Sequence, residues 1–211
     1  MSDVTTVMPQ GALEHRRSMD SSASPGTGVD TSAGVLLRVE PVTGLLMLRA
    51  RDQAANLSKA LQTQCGVTLP GRLQSLSSEH YSARWMSPDN WLLSCPFDEV
   101  SEVEKSLRSA VGGHVAVVDV SGGYTLITLS GIDALNVLKK CTAYDVHPRN
   151  FPVGKVVNTT FAKAQTTLRA MHIEDGQGAY EVIVRRSFSD YLWLWLQQAS
   201  LEYRVGNDLS G

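Results

Sequence analysis

The sequence predicts an α+β chain of two consecutive ferredoxin-like β-α-β-β-α-β units with antiparallel sheets, preceded by an irregular N-terminal tail. Three observations lead there. Residues 1–33 have no hydrophobic period. From Val35 onward, short β-type runs alternate with helices that carry one apolar stripe each. The order of these elements recurs in two halves, 34–121 and 122–206, leaving 207–211 as a C-terminal tail.

In the tail, SMDSSASPGTGVDTSAG is rich in Ser, Gly, Asp and Thr. It cannot bury enough apolar surface to offset its ordering entropy, so it is expected to order only against another surface. The body opens with two strands, VLLRVE and LLMLRA, around the turn-like Pro41-Val42-Thr43-Gly44. Asp52 is expected to cap a helix with Ala54, Leu57, Leu61 and Cys65 on one face, ended by Gly66. HYSARW and WLLSCP read as strands joined by Met86-Ser87-Pro88-Asp89-Asn90, which has turn chemistry. Asp98 is expected to cap a helix with the stripe Val100, Val103, Leu107 and Val111, ended by Gly112-Gly113. VAVVDV closes the half as a strand.

The second half repeats the order. Ser121-Gly122-Gly123 reads as a hairpin turn into the strand YTLITL. Ser130 and Asp133 make a capping-box signature, opening a helix with Ala134, Leu135, Leu138 and Cys141 on one face. The prolines of DVHPRNFPVG exclude helix. VVNTTFAK, TTLRAMHI and YEVIVRR follow as strands; in the last, Tyr180, Val182 and Val184 alternate with Glu181 and Arg185. Ser187 and Asp190 form a second capping box before the final helix, and EYRV is expected as the closing strand. In that helix Phe188, Tyr191, Leu192, Trp195 and Ala199 form the expected core stripe. Trp193 and Leu194 fall off it, roughly 140° and 240° from Phe188. A helix apolar on more than one side is buried on more than one side. Trp193 and Leu194, with Trp85 and Trp91 beside the Met86–Asn90 turn, are therefore the candidate subunit interface, weighed against extra burial within the chain.

Composition excludes several functions. The chain has 211 residues and a formal net charge of −2, and its longest basic runs are pairs, so nucleic acid is not an expected partner. No run of about 18 apolar residues exists to span a membrane, and the N-terminus lacks the apolar region of a secretory signal. Three cysteines without a C-x-x-C fit reduced thiols in a cytoplasmic protein. His80, His114, His147 and His172 lack the spacing of a zinc site. There is no dinucleotide fingerprint, P-loop, nucleophile elbow or metalloprotease motif. Asp119, among the apolar Val117, Val118 and Val120, has two readings: a base with a raised pKa, or an acceptor for the Ser121-Gly122-Gly123 turn, which is favoured. The expected catalytic, cofactor-binding and metal residues are accordingly none.

Four segments together carry a family resemblance: RWMSPDNWLL, VAVVDVSGGYTLITLSGIDALNVLKKC, YDVHPRNFPVG and YEVIVRRSFSDYLWLWL. The chain resembles the gamma subunit family of bacterial heterotetrameric sarcosine oxidase, in the superfamily of the glycine-cleavage T protein, over roughly Val35 to Val205. The resemblance implies a fold like the folate-binding domain of the T protein. It also implies a cytoplasmic enzyme that oxidises sarcosine to glycine with O2, giving H2O2 and 5,10-methylenetetrahydrofolate or formaldehyde. The partners it implies are alpha, beta and delta subunits, with FAD, FMN, NAD and zinc held there and none in this chain; the tail, 1–33, lies outside the resemblance and is expected from its composition to dock on partner subunits. The family's gamma chain offers no catalytic residue to carry over. Two other readings stand beside it: a stand-alone tetrahydrofolate-binding protein of the T-protein superfamily, and a regulatory ferredoxin-like module sensing a small ligand.

Overall fold

A one-faced helix and a sheet each bury their apolar side only against another layer. The computed structural model, which describes residues 11–13, 34–174 and 177–204, solves this with four layers: helices, sheet, sheet, helices. The first sheet holds β2 (Gly44–Ala50), β3 (Ser75–Ser77), β4 (Ser82–Ser87), β5 (Asn90–Cys95) and β6 (Val115–Asp119), in the order β3-β4-β5-β2-β6. The helices α1 (Ala54–Cys65) and α2 (Val100–Val111) cover one face of it. The second sheet holds β1 (Leu36–Val39), β7 (Tyr124–Gly131), β8 (Val156–Phe161), β9 (Ala164–Glu174) and β10 (Gln177–Arg185), in the order β1-β7-β10-β9-β8. Its outer face is covered by α3 (Ala134–Cys141) and α4 (Ser189–Arg204). All strand pairs are antiparallel.

Both sheets have the ferredoxin-like order, each with one added edge strand, and in the second the chain is permuted. The place beside β7 that a closing strand would take is filled by β1 from the start of the body, with Leu37 opposite Leu129. The segment EYR, expected as that strand, continues α4 to Arg204 instead. The first half of the chain thus lends a strand to the sheet of the second. The crossing between sheets occurs at Ser121–Gly123, a short 3-10 turn. It is not a hairpin, because β6 and β7 lie in different sheets.

The helix stripes fall as expected in the first three helices. Leu57, Leu61 and Cys65 of α1 are buried, as are Val100, Val103 and Leu107 of α2 and Ala134, Leu138 and Cys141 of α3. Gly66 ends α1 at φ 68°, a left-handed conformation that glycine takes without a Cβ penalty. The expected caps of the first three helices do not form. Gln53, Glu99 and Asp133 occupy the N-cap positions, none with a side-chain cap bond. Ser130 lies inside β7, and Asp98 lies in a 3-10 turn that precedes α2. That turn sits tight on the sheet: a Cβ on Gly44 would come 2.3 Å from Val100 Cγ2 and 2.9 Å from the Pro96 carbonyl oxygen. Leu13, 1% exposed, plugs the second core. The rest of the polar tail, 1–10 and 14–33, and residues 205–211 lie outside the described residues.

The inner faces of the sheets meet through a small apolar patch, Leu45, Leu92, Leu126 and Ile183, and through three charges. Glu181 on β10 alternates with Tyr180, Val182 and Val184, on the face that the strand period alone would leave open to water. It is instead 4% exposed, facing Arg84 of the other sheet, 1% exposed. Arg84 donates from Nε and Nη2 to both carboxylate oxygens, at 2.7 Å each. Arg169, the cross-strand partner of Glu181, donates from Nη2 to Oε2 at 3.2 Å. Its Nη1 donates to Ser77 Oγ and Ser82 Oγ at 3.1 and 2.6 Å. Arg84 Nη1 donates to Ser94 Oγ and to the Ser82 carbonyl. Burial alone pushes the Glu181 carboxyl up, but the charges and hydrogen bonds of Arg84 and Arg169 outweigh it and hold it below the usual carboxylate range.

Two predictions follow from the cores. Glu181→Gln keeps the volume but strands two guanidiniums, and should cost about 3–5 kcal/mol in urea unfolding. Arg84→Met leaves one matched pair and should cost less. A carboxylate with a lowered folded pKa stabilises fully above its unfolded value, about 4.3, and loses that contribution as pH falls through the folded one. The gap between wild type and Glu181→Gln should therefore be constant from pH 7 to 5 and close in acid. The second prediction concerns the thiols, all free and buried. Burial pushes Cys65 and Cys141 up to about 11 and Cys95 up to about 12, Glu99 adding to the rise at Cys65 and Cys95. At pH 8 a thiol reagent should modify the native chain at least about a hundredfold more slowly than a free thiol, and find all three cysteines once the chain is unfolded.

Candidate functional site

A cleft of about 710 Å³ opens between the sheets along their inner faces. Arg84, Arg169 and Glu181 form its floor, and Leu36, Phe97 and Met171 are on its walls. Each floor charge is committed. Arg84 makes four hydrogen bonds from its five N–H donors. Burial and the nearby Arg84 charge pull the Arg169 guanidinium down to about 10, so it stays protonated at neutral pH. Glu181 is ionised and shared between two arginines, which leaves it no capacity as a base. The arrangement fixes the two sheets to one another. Backbone stitches do the same at the rim, where Ser75 N donates to the Gly154 carbonyl at 2.7 Å and Asn158 Nδ2 to the Met86 carbonyl at 2.7 Å.

Asp119 takes the structural reading. Its Oδ1 accepts from Ser121 N at 2.9 Å and from Ser121 Oγ at 2.6 Å. Ser121 Oγ in turn accepts from Leu45 N at 2.9 Å. The motif latches the crossing between sheets onto β2. Among the described residues no group of three or more His, Cys, Asp or Glu side chains gathers to hold a metal. No described helix is long and apolar enough to cross a membrane.

The four candidate interface residues fall in two places. Trp85 and Trp91 face one another across β4 and β5. Trp91 is buried, and its indole N–H donates to the Pro70 carbonyl at 3.0 Å; Trp85 packs partly buried against the first core. Trp193, 6% exposed, is a core residue of the second half, beside Leu192 and Leu196. Leu194 points outward. Of the expected core stripe, only Leu192 and Ala199 meet the core. Leu192 is buried, but Phe188, Tyr191 and Trp195 are exposed, and with Leu194 and Leu201 they line the outer side of α4.

The residues that sequence reasoning missed are Arg84, Arg169 and Glu181. A signal was present: Ile183 shares the Glu181 face of β10, and Leu92 pairs with Arg84 across β4 and β5. An apolar residue beside a charge on a presumed solvent face marks that face as covered.

Comparison with known proteins agrees with this fold. The model of the sarcosine oxidase gamma subunit family matches residues 49–202. The sarcosine oxidase subunit gamma of an Arthrobacter species is 30% identical over 176 residues, 82% of this chain and 83% of that one. That of Corynebacterium strain U-96 is 27% identical over 87% of both. In structure, a chain of the heterotetrameric sarcosine oxidase from Corynebacterium U-96, solved with pyrrole 2-carboxylate, superposes with a TM-score of 0.78 at 25% identity. The match covers 93% of this chain and 96% of that one. The glycine cleavage system aminomethyltransferase T of Bartonella henselae shares the fold, with a TM-score of 0.59 at 15% identity over 79% of this chain and 46% of that one. Together the family match and the near-complete superposition show that this chain belongs to the sarcosine oxidase gamma subunit family.

Proposed function

We propose that the chain is the gamma subunit of a cytoplasmic heterotetrameric sarcosine oxidase, and that it supplies structure and contact surface to an enzyme whose reacting groups lie in alpha, beta and delta subunits. The observation that carries this reading is the superposition over 93% of this chain and 96% of a chain from such an enzyme. The chemistry of the chain supports it. Its buried carboxylate is spent on two arginines, Asp119 is spent on a turn, and its three thiols are pushed far above neutrality by burial. In this reading FAD, FMN, NAD and zinc are held by the other subunits. The complex oxidises sarcosine to glycine with O2, releasing H2O2 and a one-carbon unit as 5,10-methylenetetrahydrofolate or formaldehyde. The polar tail docks on the partner subunits.

The test is co-production with the three other subunits from the same host. The recovered complex should be yellow, contain all four chains and form peroxide when given sarcosine. The chain alone should be colourless and form none. Turnover by the isolated chain, or micromolar binding of tetrahydrofolate to it in calorimetry, would overturn the proposal and favour a stand-alone folate protein.

A further inference from the structure

The outer face of α4 differs from those of the other three helices. The exposed positions of α2 include Glu102, Lys105 and Arg108, those of α3 Asn136, Lys139 and Lys140, and those of α1 Asn56, Lys59 and Gln62. These are solvated faces. On α4 the eleven residues from Tyr191 to Leu201 include no charge. Phe188, in the 3-10 turn that leads into α4, and Tyr191, Leu194, Trp195 and Leu201 on the helix stand 38–47% exposed; the spacings of three, one and six place the four helical residues along one side of the helix. Tyr191 and Trp195 lie against each other, with ring centroids 6.1 Å apart. The opposite side of the helix, with Leu192, Trp193 and Leu196, is fully used by the core. Burying an aromatic side chain removes 150–250 Å² from water, so the exposed part of the stripe amounts to roughly 400 Å². That is as large as the largest apolar patch on a typical monomer and about half of one side of a standard interface.

We infer that this face is the docking surface of the chain for a different subunit of the complex, one that offers an uncharged, apolar patch. The inference rests on the subunit reading above. Three features of the molecule select this occupant. The stripe carries no charge, so it complements an apolar surface and repels a charged one. Its area suits the centre of an interface, with the Lys140–Glu202 ion pair beside it as polar rim. The polar segment between Leu13 and Gly34 starts and ends on the same layer, at the second core and beside the Tyr203 carbonyl. Between them the sequence is mostly polar, with Met19, Pro25 and Val29 its apolar residues larger than alanine, which is little with which to cover Phe188 and Trp195.

The test uses Leu201→Cys in the full-length chain, alone and in the co-produced complex. The three native thiols are buried and slow, so the new one is read separately. A maleimide should modify it rapidly in the lone chain and at least tenfold more slowly in the complex. Equal rates would overturn the inference while leaving the subunit reading intact. Slow modification already in the lone chain at low concentration would overturn it too, by showing that the chain covers the stripe itself. Slow modification only at high concentration, with a dimer in sedimentation, would assign the face to a second copy instead. Leu194→Asp is the second variant. Its lone chain should melt within about 2 °C of wild type, since Leu194 faces outward, while its recovery with the complex falls at least tenfold. Undiminished recovery counts against the inference, and failure of the wild-type chain to co-purify sinks the subunit reading itself.

Discussion

Everything in this molecule is arranged around one carboxylate held between two guanidiniums. Two sheets stacked on an apolar patch of four residues have little in that patch to fix how they lie. Apolar contact is non-directional. The bidentate pair of Arg84 and Glu181 is directional: two parallel donors meet two oxygens at 2.7 Å. Sliding one sheet past the other by a single residue would leave the buried Arg84 without its carboxylate and Glu181 with Arg169 alone, its neighbour within the second sheet. The desolvation of such ions is costly, and the gain from pairing them returns that cost only in one geometry. The triad is thus better understood as fixing the register of the two halves than as a source of net stability.

The same constraint explains where the chain has freedom left. Once the inner faces of the sheets and the inner stripes of four helices are committed, only the outer helix faces remain to vary. Three of them are charged and polar. The fourth, on α4, is apolar on both sides, which a soluble helix facing only water has no reason to be. Its inner tryptophan, Trp193, serves the core, whereas its outer one, Trp195, stands on the surface. Core and surface demands are therefore met by adjacent residues on one helix.

Much of the fold was legible in the sequence, and the failures have physical causes. Period-two runs such as Tyr180 to Val184 gave strands, and the left-handed Gly66 gave a helix end. The short β3 was missed because three residues carry no usable period. The caps were misplaced by one or more positions, since Asp52, Asp98 and Ser130 have the right chemistry but the chain turns elsewhere. EYR was read as a strand although it simply prolongs α4, while β1, supplied from the far end of the body, takes the edge. A permutation of that kind leaves no local mark. On α4 the core takes Leu192 and Ala199 of the expected stripe but Trp193 in place of Tyr191 and Trp195, because a helix apolar all round has no phase to read; only the packed layers show which aromatics the core takes. The period of β10 sets Glu181 apart from Tyr180, Val182 and Val184, but a period does not distinguish a face open to water from one open to a second sheet.

The cleft between the sheets shows why an enzyme-like cavity need not be a reaction site. Electrostatic catalysis depends on donors and dipoles held ready for charge that develops during the reaction. Such groups have to be preorganised and yet uncommitted in the resting protein. Here the polar groups already have partners: the guanidiniums bind a resident carboxylate, the serine hydroxyls accept from the guanidiniums, and the Asp119 carboxylate binds its own turn, with only the buried Arg169 Nε making no hydrogen bond among these groups. An incoming anion would have to compete with Glu181 for Arg84 at the cost of breaking the contact that aligns the sheets. A chain that has used its buried polar groups to define its own shape has its surface left with which to act on other molecules.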